Sequence, residues 1–212
     1  DVSVLAGKGI FVLPADAPAD RFRLPLRVQG ALWLRDSGPH RDVVNEAING
    51  MRAQAALGSL PYLLMHIARD AAPTDRWDEA EAAYLEGIQF ARETGQSTDL
   101  AVSLAGLACL NARRGRVDAC RDNVVAAEEL CRRYHIRLGS FWLQFAQGDL
   151  AAGLGDTAGA VRHYEALQSA LAATCIADPD QSCAPELVEA YVHLGRLEDA
   201  RRVATQFAAG AA

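Results

Sequence analysis

The sequence predicts an all-α protein: a right-handed α-solenoid of antiparallel helix pairs with an irregular N-terminal arm. Three observations predict it. A short phrase returns every 40 residues, as DRWDEA at 75–80, GRVDAC at 115–120, GDTAGA at 155–160 and GRLEDA at 195–200. A fixed period of this order is the mark of stacked supersecondary units. Between the phrases, apolar residues step at helical spacing, as in Leu100, Leu104, Leu107 and Leu110. Small residues also recur 12 positions before the Ala or Cys of each phrase: Ala68 before Ala80, Ala108 before Cys120 and Gly148 before Ala160, while Val188 breaks the rule before Ala200. Antiparallel helices approach closely only where neither carries bulk at the crossing.

Each element follows in order. Residues 1–24 form the arm: 9–13 read as a short strand or extended segment, and Pro14 and Pro18 mark a loop. The repeat domain takes residues 25–212. Its first pair is 26–35 and 43–57, turning through 36–39, and its second is 60–72 and 79–94. The next helix runs over 97–115 and stops at Gly115, which tolerates a left-handed cap. Asp118 favours the start of its partner, whose inner face is Val124, Ala127 and Cys131. The remaining pairs are 139–154 with 158–173, and 185–194 with 197–209, the last cut short. Four residues after each turn Ala or Cys comes Tyr84, Val124 or Tyr164, a group sized to fill the groove against the next pair. This small–turn–small–large pattern resembles tetratricopeptide repeats, with a period of about 40 in place of about 34.

Composition narrows the function classes. Half of the 212 residues are hydrophobic and 23% are charged, enough apolar surface to offset chain entropy. The net charge is −6 and Lys8 is the only lysine, which argues against direct nucleic-acid contact. Cys109, Cys120, Cys131, Cys175 and Cys183 are odd in number and widely spaced, so they read as reduced, packed thiols in a cytoplasmic protein. Neither a zinc spacing nor a signal peptide is visible, and no apolar run approaches the roughly 20 residues of a membrane span. A chain without an initiator Met that ends in AAGAA reads as a piece of something longer.

Candidate chemistry is sparse. The run Ala6-Gly7-Lys8-Gly9 lacks the first Gly and the hydroxyl residue of a phosphate loop. No two of His40, His66, His135, His163 and His193 stand at i, i+4. Asp75, Asp78, Glu79 and Glu81 surround a helix start, where the dipole favours negative charge. Asp178 and Asp180 are explained either as holders of a cation or as a polar inter-repeat loop. Arg132, Arg133, Tyr134, His135 and Arg137 sit at a helix end, where positive charge complements the dipole; the alternative reading is a site for an anionic ligand or acidic partner. No catalytic residue, metal site or cofactor is expected. A ligand or partner groove is expected on the first helices, which line the concave side of such solenoids. Its candidate residues are Asn111, Phe141, Trp142, Gln144 and Phe145.

Residues 68–116, 146–167 and 184–203 are similar to the helical-repeat region of large ATP-binding LuxR-family regulators. The resemblance spans roughly residues 40–212. It implies a parent protein with an N-terminal ATPase switch and a C-terminal helix-turn-helix, so ATP and DNA belong to the parent and not to this chain. The implied role is non-enzymatic: a sensor and oligomerisation module that binds a small-molecule inducer or a protein partner. A stand-alone tetratricopeptide-like adaptor is the alternative, and an enzyme would need a convergent set of titratable groups that the sequence lacks. The short last pair leaves an apolar face, so self-association or a C-terminal continuation of the repeat is expected.

Overall fold

A computed structural model describes residues 46, 48–52, 57–74, 76–174 and 181–211. The arm, the segment 26–39, His40, Asp75, Cys175 and the loop carboxylates Asp178 and Asp180 lie outside the described residues, and of the predicted helix over 43–57 only residues 46, 48–52 and 57 lie within them. Every regular element among the described residues is a helix. A 3-10 turn at Leu57–Ser59 leads into α1 (Leu60–Ala71), followed by α2 (Trp77–Glu93), α3 (Ser97–Arg113), α4 (Val117–Tyr134), α5 (Arg137–Gly153), α6 (Thr157–Ala173), α7 (Ala184–His193) and α8 (Leu197–Ala211). The chain divides into two compact units, residues 1–95 and 96–212.

In the first unit α1 packs on α2. Pro61 opens α1, where a missing N–H costs nothing. Asp78 and Glu79 occupy the first turn of α2, on the favourable side of its dipole. Leu60, Leu63, Leu64, Met65, Ala68 and Ala71 make the buried face of α1, and Ala80, Ala83, Tyr84, Ile88 and Ala91 that of α2. Ala68 and Ala80 are both fully buried, as the small-residue spacing requires. Arg76, between the helices, pairs with Asp70 behind it and Glu79 ahead. Arg52 holds Glu86 of α2 through both carboxylate oxygens at 2.6 Å.

In the second unit each helix packs on the next in sequence: α3 on α4, α4 on α5, α5 on α6, α6 on α7 and α7 on α8. In addition, α3 lies directly against α5. The turns inside the pairs share one device. Gly115, Gly155 and Gly195 take φ of 69°, 81° and 72°, open to glycine without strain. The next residue's N–H then reaches back five positions, from Arg116 to the carbonyl of Asn111 at 2.9 Å, Asp156 to Ala151 at 2.9 Å and Arg196 to Tyr191 at 2.8 Å. Two otherwise orphaned helix carbonyls are satisfied at each turn, because the glycine N–H also bonds back. His135, between α4 and α5, adopts the same left-handed conformation with φ 55°, and Ile136 closes onto Cys131.

Two packing features differ from the simplest expectation. The leucines of α3 were expected to mark one face, yet every residue from 101 to 108 is buried. Ala, Val, Ser and Gly fill the positions between them, so a helix enclosed by α4 and α5 meets no charged obstacle. At Gly148 the close neighbour is an aromatic ring: a Cβ there would run into Tyr164, whose ring lies over the glycine. Tyr164 also belongs to the core formed with Phe141, Val161, Leu167, Cys183, Leu187 and Tyr191. Among the described residues no helix is long and apolar enough to cross a membrane.

Candidate functional site

The second unit gathers its half-buried polar and aromatic groups on its first helices. Cys109 and Arg113 stand four residues apart on α3, and Trp142, Phe145 and Asp149 follow at i, i+3 and i+7 on α5. Residues three, four or seven apart share a helix face. Because α3 lies against α5, the two sets meet. Arg113 donates from Nε to Asp149 at 2.9 Å and lies over the Phe145 ring at 5.5 Å from its centroid. The Cys109 thiol donates to the carbonyl oxygen of Trp142 at 3.2 Å. The segment entering α7 completes the face: Gln181 accepts from the Trp142 indole N–H at 2.9 Å, and Glu186 comes to 4.0 Å from Arg113.

Asp149 is the hinge of this arrangement. Its side chain is only 9% exposed, and its second oxygen accepts from the Tyr164 hydroxyl at 2.7 Å. The glycine at 148 makes that bond reachable, since it lets the tyrosine ring lie against α5. Phe145 meets the same ring edge-on with centroids 6.0 Å apart. Burial works against the charge on Arg113, but the adjacent Asp149 outweighs it and holds the guanidinium above its usual range. Burial raises the Tyr164 hydroxyl and the nearby carboxylate of Asp149 raises it further, so it stays a donor. Burial likewise pushes the Cys109 thiol well above its ordinary range, with Asp149 adding to the effect.

Glu186 is less well served. Burial raises its carboxyl, an effect that Asp149 and Glu189 reinforce and that its own backbone amide and Arg113 oppose. Its Oε2 is shut off from solvent and has no hydrogen-bond partner. A buried carboxylate oxygen without a donor costs about 1–3 kcal/mol.

The five residues expected to form a groove separate into different surroundings. Trp142 and Phe145 belong to the face just described. Phe141 is 6% exposed and lies in the core. Asn111 is also buried: its carbonyl closes the Gly115 turn, and its side-chain Oδ1 has no partner. Gln144 turns to α6, with Oε1 3.0 Å from Nδ1 of His163. Arg113, Asp149, Gln181 and Glu186 were not anticipated as site residues. The one signal for them was the extension of the Trp142–Phe145 stripe to Asp149, one more helical step along.

Among the described residues no group of three or more His, Cys, Asp or Glu side chains is placed to hold a metal ion. Arg132 pairs with Glu129 at 2.6 Å and Arg133 lies over Tyr134, so these two arginines are engaged within their own helix end, while Arg137 opens α5. No protein-family model matches the chain, and no curated protein is significantly similar to it.

Proposed function

We propose that this chain is a non-enzymatic binding module: a right-handed, tetratricopeptide-like solenoid with a period of 40 residues, acting as the sensor and oligomerisation region of a cytoplasmic LuxR-type transcriptional regulator. The observation that carries the reading is the face on α3, α5 and α7, where Trp142, Phe145, Arg113 and Glu186 are held half-exposed by Asp149, Gln181 and Tyr164. A surface spread over successive helices and held by second-layer hydrogen bonds suits recognition of a small-molecule inducer or a protein partner. The recurring glycine turns and consecutive packing support the repeat assignment. Val192, Leu194, Leu197 and Phe207 are exposed on the last pair and support self-association. ATP and DNA are then handled by other parts of the parent protein.

The reading frame around the coding segment tests this directly. A phosphate-loop motif upstream and a helix-turn-helix downstream in the same frame are the expected result. Stop codons close to both ends would overturn it and leave a stand-alone adaptor.

A further inference from the structure

We draw no further inference here: the strongest candidate, the exposed apolar surface of the last helix pair at Val192, Leu194, Leu197 and Phe207, carries nothing because nothing in the structure shows what covers it.

Discussion

Single residues set the tolerances of this fold. Gly148 is the sharpest case, because the Tyr164 ring occupies the space a Cβ would need. Gly148→Ala must push that ring aside and strain its bond to Asp149. Overpacking and a weakened charge-assisted hydrogen bond together cost about 2–4 kcal/mol, measurable as a lower urea midpoint. His66, on α1 in the first unit, offers a second case. Burial, with the positive charge of Arg69, lowers its pKa to about 4 from an ordinary 6.5. Its Nε2 is buried without a partner, and Tyr62 meets the ring edge-on at 4.5 Å. The folded state thus binds this proton more weakly than the unfolded state. The stability is fully present above pH 6.5 and is lost as pH falls from there toward 4. The loss amounts to roughly 3 kcal/mol at the acid end. The protection factors of α1 amides, exchange rates referred to the intrinsic rate at each pH, are expected to fall over that window, and His66→Phe to flatten the dependence. Unchanged protection factors between those limits would refute the assignment.

At the scale of elements, the turns explain which boundaries were legible. Gly115, Gly155 and Gly195 end helices wherever the phrase predicts, because only backbone and a glycine are needed there. The helix starts at Trp77 and Arg137 fall two residues ahead of the expected 79 and 139, where no capping side chain marks them. His135 stands 40 residues after Gly95, which has φ 70°, and pays for the same left-handed turn with a side chain. His135→Gly is expected to stabilise the second unit by about 0.5–1 kcal/mol, the relief of left-handed strain less the added freedom of the unfolded glycine. A thermal melt at neutral pH checks it, and a lower midpoint would show that the imidazole does more than occupy the turn. The site was less readable than the turns for a physical reason. Arg113 and Asp149 are 36 residues apart, and a charged residue on a helix looks the same in sequence whether it faces water or a partner. Trp142 and Phe145 were visible as a stripe, but Phe141 beside them belongs to the core, and no local pattern separates the two.

For the molecule as a whole, the second unit is held together by neighbour-to-neighbour contacts. α7 reaches the rest mainly through α6, with Leu187 fully buried among Tyr164, Leu167 and Leu171. In such an arrangement stability is local, and damage spreads only to adjoining pairs. Leu187→Ala is expected to cost about 2–5 kcal/mol and to release α7 and α8 first. Hydrogen exchange should show those helices losing protection while α3 and α4 keep theirs, whereas a uniform loss would mean the unit opens as one block.

The sulfur atoms give that pattern a clock. Cys109 lies on α3, Cys120 and Cys131 on α4, and Cys183 at the foot of α7. Burial raises all four thiols, Cys120 to about 11 and Cys183 to about 12, so little thiolate exists in the closed state. Alkylation requires thiolate and access together. Iodoacetamide therefore labels each of these four cysteines only when its own helix pair parts from its neighbours, and peptide mass spectrometry reads the order. Cys183 should be carboxamidomethylated before Cys120, so that the chain's own cysteines timestamp its opening from the α7 end.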